Sequence, residues 1–279
     1  MTEQAPTRIQ KLMTRAASAV VFVAAVLAAF LGGYWTSMGL FALFVAIGTD
    51  ELVKLATKAG QGKPLGVLAI ISALSIYGVT GLVAYDVIPV SGAIWLGVLV
   101  VAIFAAQLFR NTKNAFGDAA LTAASAVYVG GGFSFLLLVM CLSGTYDYTL
   151  ALGLIFLIWA NDTFAYLTGQ FLGRNKMAPS ISPNKTWEGF AGGVVFAVLT
   201  GWVISQFWGV LTAVDWMMCG GLMGVFGTAG DFLESLFKRQ AGVKDSGNLM
   251  PGHGGVLDRF DGLLFALPVV YFYISRVAG

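Results

Sequence analysis

The sequence predicts an all-α, polytopic integral membrane protein with about nine transmembrane helices and a cytoplasmic N-terminus. Hydrophobic residues make up 58% of the 279 residues, and charged residues make up only 11%. A typical soluble domain is roughly 25% charged. Because so few charges cannot cover a water-exposed surface, lipid must solvate most of the molecule. The net charge of +2, spread over several loops, gives no reason to expect a nucleic-acid partner.

Apolar segments of the length that a bilayer requires, about 20 residues, recur along the whole chain. The polar residues 1–15 precede the first segment, which continues past Gly32-Gly33 without the polar region that follows a cleaved signal peptide. We therefore expect this first helix to be retained and to turn at the two glycines. The predicted spans are 16–31, 35–49, 64–84, 90–109, 119–142, 149–170, 189–208, 213–232 and 260–276.

The basic residues are distributed unevenly between the connections of these spans. With a cytoplasmic N-terminus, 15 of the 16 Lys and Arg residues fall in cytoplasmic segments, and only Arg276 falls on the opposite side. The opposite loops carry Asp86, Asp147 and Asp215. Because Lys and Arg resist translocation, this asymmetry predicts an N-in, C-out orientation.

The chain is predicted to form a single transmembrane helical domain over residues 1–279. Within it, 1–15 is a cytoplasmic N-terminal segment, and 171–188 and 231–261 are catalytic segments at the cytoplasmic face. The 36 glycines are abundant within the spans, where small residues let helices pack closely. Cys141 and Cys219 lie in apolar stretches and are expected to be small buried hydrophobic residues.

The strongest chemical signal lies between residues 231 and 261, where carboxylates alternate with basic side chains. Carboxylate oxygens hold Mg²⁺, while Lys and Arg hold phosphate oxygens. Asp258 and Asp261 are three residues apart at the start of the last helix and so share a face. The N-terminus of that helix also favours a phosphate nearby. Asp231, Ser235 and Lys238 form one stripe of the preceding helix.

His253 is the only histidine, and two roles stay open for it, a loop-ordering hydrogen bond and proton transfer. For Lys238, Arg239 and Lys244, simple charge pairing at the membrane surface is the alternative to phosphate binding.

A second polar region runs from 159 to 193. Asp162 lies about ten residues inside the sixth span, or roughly 15 Å deep. A charged side chain there costs about 3 kcal/mol or more, so we expect it to face a partner, water or a metal. Lys185 and Glu188 stand where the chain returns to the membrane, Lys185 as a candidate phosphate contact.

Two motifs together resemble phosphatidate cytidylyltransferases. The first motif is similar to the signature of that family over 27 positions. It consists of Ser235-Leu-Phe-Lys238-Arg239, then Lys244-Asp245, then Pro251-Gly-His253-Gly-Gly-Val-Leu-Asp258-Arg259-Phe-Asp261. Met250 stands where the family has Ile or Leu. Residues 162–193, with Ile181-Ser182-Pro183, Lys185-Thr186 and Glu188-Gly189, are similar to it as well.

The resemblance implies a Mg²⁺-dependent nucleotidyltransferase that moves CMP from CTP to phosphatidic acid, with K⁺ as a second candidate cation. It implies an integral protein of the bacterial inner membrane whose site faces the cytoplasm, and it leaves a homodimer open. The implied metal ligands are Asp231, Asp258 and Asp261, which with Lys244 form the expected catalytic set. Phosphate contacts are expected from Lys185, Ser235, Lys238, Arg239, His253 and Arg259, with Asp162, Glu188 and Asp245 in support.

Two other functions remain as alternatives. A CDP-alcohol phosphotransferase motif begins D-x-x-D-G, which residues 258–262 match, but Phe265 and Ala266 stand where that motif continues with Ala-Arg. An ion-coupled transporter would use Asp162 or Asp231, although such sites lie at the membrane midplane between repeats. No repeat is evident in the sequence.

Overall fold

The computed structural model describes residues 8–110, 112–249 and 254–277, and most of these residues are helical. The helices are α1 (Arg8–Leu31), α2 (Tyr34–Lys58), α3 (Gly66–Ala84), α4 (Leu96–Gln107), α5 (Ala115–Ala126), α6 (Gly132–Met140), α7 (Tyr148–Leu172), α8 (Trp187–Ser205), α9 (Ala213–Gln240) and α10 (Leu257–Val277). A 3₁₀ turn (Val90–Trp95) precedes α4, and a π-helical turn (Val127–Gly131) joins α5 to α6. The all-α polytopic fold is therefore confirmed.

Six helical segments of the described chain are long and apolar enough to cross a membrane. They are Gly66–Ala84, Val90–Gln107, Ala115–Met140, Tyr148–Leu172, Trp187–Ser205 and Leu257–Val277. The other three predicted spans also lie in helices. Span 16–31 is the shorter apolar part of α1, and spans 35–49 and 213–232 lie within α2 and α9, which have charged residues in their last turns.

The turn between α1 and α2 lies at the predicted glycine pair. Gly33 has φ of +101°, a conformation that residues with a Cβ rarely adopt. The hydroxyl of Thr36 donates a hydrogen bond of 2.7 Å to the carbonyl of Ala29 across this turn. The two helices therefore fold back on each other through two residues, as predicted.

Glycines bring the backbones of α8, α9 and α10 into close contact. A Cβ at Gly201 would overlap the backbone of Trp216, and one at Gly220 would overlap the carbonyl of Ala197. Gly230 lies equally close to the carbonyl of Asp261. The expectation of close helix packing is met at these positions, and the last one brings the acidic start of α10 against α9.

Hydrogen bonds join the predicted cytoplasmic segments at one end of the bundle. Arg110 Nη1 donates to the carbonyl of Lys63 at 2.7 Å. Arg239 Nε, at the end of α9, donates to the carbonyl of Ile181 at 3.2 Å. These bonds join the basic segments in two pairs, the Lys63 segment with Arg110 and the hairpin with the end of α9, while the side of the membrane that they face stays a prediction.

The connection between α7 and α8 forms a small β-hairpin, which the all-α expectation did not include. Strands β1 (Lys176–Ala178) and β2 (Ser182–Thr186) pair antiparallel. Pro179 and Pro183 disfavour a helix here because proline lacks a backbone N–H. Thr186 ends β2 and caps α8, since its hydroxyl accepts a hydrogen bond of 3.1 Å from the N–H of Gly189.

Candidate active site

Two cavities meet at three charged side chains near the end of the bundle that carries the hairpin. The hairpin cavity has a volume of about 540 Å³ and lies between α7, the hairpin, α8 and α9. The α1 cavity has a volume of about 400 Å³ and lies between α1, α7, α9 and α10. Both are lined by Asp162, Lys185 and Asp231. Each is large enough for part of a small-molecule ligand.

The hairpin cavity combines aromatic and hydrogen-bonding side chains. Tyr166 and Phe190 line it from α7 and α8, while Lys176 and Asn184 line it from the hairpin. Such a wall can contact a flat ring on its aromatic side and polar groups on the other.

The α1 cavity is apolar on one side and charged on the other. Phe22 and Val23 of α1 and Trp159 of α7 form its apolar side, and Arg259 of α10 lies opposite with Ser235 of α9. An amphipathic molecule with an anionic group matches this division, because its chains would meet α1 while its charge met the arginine.

A salt bridge forms the wall between the cavities. Lys185 Nζ of the hairpin lies 2.6 Å from Asp231 Oδ2 of α9, with both side chains about one quarter exposed. The ammonium group also lies 4.7 Å from the centre of the Phe232 ring. Asp162 comes from α7, and its Oδ1 accepts a hydrogen bond of 3.3 Å from Asn161. The Lys185 ammonium group is thus paired with Asp231, and Asp162 lines both cavities beside this pair.

Three carboxylates crowd together where α9 meets α10. Asp231 of α9 and Asp261 of α10 both line the α1 cavity, and the carbonyl of Asp261 lies against Gly230, the neighbour of Asp231. Glu234 follows Asp231 by one turn of α9. Glu234 is 1% exposed, and its Oε1 has no hydrogen-bond donor among the described residues. Carboxylates grouped in this way repel one another unless a proton or a cation lies between them.

The donor chemistry of this group fits a hard divalent ion such as Mg²⁺, which prefers carboxylate oxygens. Within the described part of the chain, however, no three His, Cys, Asp or Glu side chains are arranged as a ready metal cage. Two of the carboxylates are paired with lysines in this structure. Lys185 contacts Asp231, and Lys238 contacts Glu234.

Lys238 and Asp258 form a buried ion pair beside this group. Lys238 Nζ lies 2.6 Å from Glu234 Oε2 and 2.7 Å from Asp258 Oδ1. The other oxygen of Asp258 accepts hydrogen bonds from the N–H groups of Ser246 and Gly255, at 2.8 Å each, and from the Ser246 hydroxyl at 2.9 Å. Asp258 thus anchors the loop between α9 and α10. Its metal-binding role stays a prediction, as does the phosphate contact of Lys238.

Of the remaining residues predicted for the site, some line a cavity and others do not. Ser235 and Arg259 line the α1 cavity. Arg239 instead binds the carbonyl groups of Ile181 and Val243, so it joins the hairpin to α9. Glu188 accepts hydrogen bonds from the N–H groups of Arg174 and Asn175, which closes the base of the hairpin. Lys244 and Asp245 are exposed and line neither cavity. His253 lies outside the described residues.

Two buried carboxylates at the site were not among the sequence-predicted residues. Glu234 is the second acid of the motif beginning at Asp231, and its position three residues later on the same helix was a usable signal. Glu51 of α2 is 5% exposed and accepts hydrogen bonds from the N–H groups of Val256 and Leu257. Its only sequence signal is its place on the helix face that also carries Gly48 and Leu55.

Comparison with known proteins is consistent with this site. The model of the cytidylyltransferase family matches residues 13–277. A protein of Bacillus subtilis named phosphatidate cytidylyltransferase is 39% identical over 171 residues, which are 60% of this chain and 62% of that protein. A Staphylococcus aureus protein of the same name is 42% identical over 165 residues, 58% of this chain and 62% of that protein.

A longer alignment is found with a Staphylococcus haemolyticus protein that is also named phosphatidate cytidylyltransferase. It is 33% identical over 258 residues, which are 88% of this chain and 92% of that protein. The alignments with the Bacillus subtilis and Staphylococcus aureus proteins span less than two thirds of those relatives. The family match includes the hairpin and the α9–α10 region. With that match and the longer alignment, the chain belongs to the cytidylyltransferase family.

Proposed function

We propose that the protein transfers CMP from CTP to phosphatidic acid, which yields CDP-diacylglycerol and pyrophosphate. The observation that carries this proposal is the shared wall of the two cavities, where Lys185 and Asp231 are accessible from both sides. Two substrates have to meet at such a point if a CMP group is to pass from one to the other. The family membership and the names of the relatives support the same reaction.

The nucleotide is proposed to occupy the hairpin cavity. Its aromatic side chains, Tyr166 and Phe190, can contact the cytosine ring, and Lys176 can contact phosphate oxygens. The lipid is proposed to occupy the α1 cavity, with its glycerol and the start of its acyl chains against Phe22 and Val23. Arg259 then binds the lipid phosphate.

The chemistry requires one new bond and one broken bond. An oxygen of the lipid phosphate attacks the α-phosphorus of CTP, and the bond from that phosphorus to the oxygen bridging to the β-phosphate breaks. The bridging oxygen leaves with pyrophosphate. The attacking oxygen is already anionic, so the barrier is the approach of two polyanions, which Lys185 and Arg259 lower by holding phosphate oxygens at the shared wall.

Mg²⁺ is the proposed cofactor, with K⁺ as a second candidate. Asp231 and Asp261, with Glu234 beside them, are the residues proposed to hold it, and Asp258 stays a predicted fourth ligand. When bound, the ion supplies neutralising positive charge to phosphate oxygens. The neighbouring Lys238 balances the carboxylates that the ion does not contact.

The site is proposed to face the cytoplasm from the bacterial inner membrane. The basic segments gathered at this end of the bundle support that orientation. CTP is water-soluble, so it would reach the hairpin cavity from that side, while phosphatidic acid would arrive from the leaflet.

The test is CTP-dependent conversion of phosphatidic acid by the purified protein in mixed micelles with Mg²⁺. CDP-lipid and pyrophosphate should form in equal amounts, and a chelator should stop the formation of both. Absence of both products from folded protein, across several acyl chains and metals, would refute the proposal. Uptake driven by an ion gradient in vesicles, without consumption of nucleotide, would instead favour the transporter.

A further inference from the structure

We propose that Glu51 of α2 is a positioning residue that fixes the first turn of α10, and with it Asp258, Arg259 and Asp261, for the transfer reaction. This inference rests on the proposed function for its activity readout. Glu51 lines neither cavity, so it acts through the backbone that it binds.

The carboxylate of Glu51 binds the free N–H groups at the start of α10. Its Oε1 accepts a hydrogen bond of 3.1 Å from Val256 N, and its Oε2 accepts one of 2.8 Å from Leu257 N. Helix N-termini leave such N–H groups without intrahelical partners and carry partial positive charge. A buried carboxylate supplied by a different helix therefore satisfies them and neutralises that charge.

Among the basic side chains that the structure describes, which exclude those of Arg8, Lys11 and Arg15, none forms a salt bridge with Glu51. The carboxylate is 5% exposed, so water does not solvate it either. Burying a charge without compensation is costly. The N–H groups of the first turn of α10 are thus the main groups that stabilise the Glu51 carboxylate, and the carboxylate fixes them in return. The single hydroxyl proton of Ser246 is shared between Glu51, at 3.2 Å, and Asp258, at 2.9 Å.

The loop before α10 is shaped around this carboxylate. A Cβ at Gly247 or at Gly255 would overlap the Glu51 carboxyl group. A residue with a Cβ at either position would require the Glu51 carboxyl group to move from its place in the loop. The fit indicates a specific arrangement and not an incidental contact.

A continuous polar chain leads from Glu51 to the reaction centre. The Ser246 hydroxyl lies between Glu51 and Asp258, and Asp258 is bound by Lys238, which also binds Glu234. One turn further along α10, Asp261 lines the α1 cavity with Asp231, and its carbonyl lies against Gly230 of α9. A shift of the first turn of α10 would therefore move the carboxylates of the centre, and a misplacement of about 1 Å can cost about 100-fold in rate.

The decisive variant is Glu51→Gln, which keeps the size of the side chain and removes its charge. Because Glu51 lines neither cavity, kcat for CDP-lipid formation is expected to fall 10-fold to 100-fold, about the cost of such a misplacement, while the KM values for CTP and phosphatidic acid change less than about 3-fold. Glu51→Asp, which keeps the charge, should recover part of the lost kcat. Asp50→Asn is the matched control, since Asp50 is an exposed neighbour paired with Lys54, and its kinetics should equal those of the unchanged protein.

Hydrogen exchange provides a readout that does not depend on activity. Peptides covering 244–257 should exchange faster in Glu51→Gln than in Asp50→Asn, because the glutamine amide keeps only one acceptor oxygen and one of the two N–H groups, of Val256 or of Leu257, loses its acceptor. If the unchanged protein makes no CDP-lipid, the proposed function fails, and this exchange result alone decides the role of Glu51.

Unchanged exchange, or an unchanged kcat in folded Glu51→Gln, would overturn the proposal, as would a loss confined to KM. Should Glu51→Gln fail to fold, Glu51→Asp decides, because it keeps the charge and draws the carboxylate back from the N–H groups of Val256 and Leu257. A lowered kcat with unchanged KM values supports the proposal, and an unchanged kcat overturns it.

Discussion

Lys185 and Asp231 form a salt bridge of 2.6 Å between the hairpin and α9, and both side chains are accessible from both cavities. A phosphate that reaches this wall from either side competes with Asp231 for the same ammonium group. The pair therefore offers positive charge where two polyanionic substrates would meet, and it makes Lys185 the first residue to test.

Lys185→Met should lower kcat/KM for CDP-lipid formation about 100-fold, because it removes a charge that stabilises the transferring phosphoryl group. Lys185→Arg should retain more activity, since the charge is kept. Lys58→Met, an exposed lysine at the end of α2, is the control and should have normal kinetics. Steady-state assays in mixed micelles measure all three, and normal kinetics in Lys185→Met would exclude the lysine from phosphate binding.

Lys238→Met should destabilise the protein by about 3 to 5 kcal/mol, because it leaves Glu234 and Asp258 buried without their cation. The Lys238 side chain is 12% exposed and those carboxylates are 1% and 5% exposed. Lys54→Met breaks an exposed pair with Asp50 and should cost less than about 1 kcal/mol. Unfolding in detergent compares the two variants. Equal losses of stability in the two variants would mean that the ion pairs of Lys238 do not stabilise the fold.

Asp261→Asn and Asp258→Asn should differ in their dependence on Mg²⁺. Asp261 is one of the clustered carboxylate residues proposed to hold the ion, so its variant should require at least about 10-fold more Mg²⁺ for half-maximal rate. Asp258 is bound to Lys238, Ser246 and Gly255, so its variant should chiefly lose thermal stability. Activity and melting temperature across a Mg²⁺ titration measure both effects. A raised requirement in Asp258→Asn would make Asp258 a ligand, as the sequence predicted.

Gly220→Ala should destabilise the bundle by about 1 to 3 kcal/mol, because the added methyl group overlaps the carbonyl of Ala197 and forces α8 and α9 apart. Gly209→Ala, in the connection before α9, meets nothing within 4 Å and should be neutral. Thermal unfolding in detergent gives the comparison. Equal melting temperatures for the two variants would contradict the close packing of these helices.

The cytoplasmic orientation can be tested with single cysteines. Both native thiols, Cys141 and Cys219, are buried, so they give little background labelling. Lys58→Cys should react with an impermeant maleimide only in inside-out vesicles, and Ser143→Cys only in right-side-out vesicles. The reverse pattern would invert the orientation and place the cavities on the other side.

Local chemistry made much of the fold predictable from sequence. The turn at Gly32-Gly33 follows from the conformational freedom of glycine. The stripe of Asp231, Ser235 and Lys238 on one face of α9 follows from helical periodicity. Asp162 was expected to face a partner, water or a metal because a charge at that depth needs one, and its exposed side chain lines both cavities. These predictions depend on the residue itself and its immediate neighbours.

The parts that sequence reasoning missed depend on contacts between distant segments. Asp50 and Glu51 are adjacent acids at the end of α2, yet only Glu51 is buried. The difference arises from which side of α2 faces α10, a fact that local pattern does not contain. Likewise, the sequence suggested Asp258 as a metal ligand, while its engagement by Lys238 depends on the position of α10 beside α9.

The bonds of Glu51 with Val256 and Leu257 join positions about 205 residues apart, near the two ends of the chain. At translation rates of about 5 to 20 residues per second, Glu51 is made roughly 10 to 40 seconds before its partners. Throughout that interval the carboxylate lies at the membrane boundary without the helix that it will bind. The reaction centre therefore cannot assemble on the ribosome until the last helix has emerged, and a chain released before α10 would insert without becoming active.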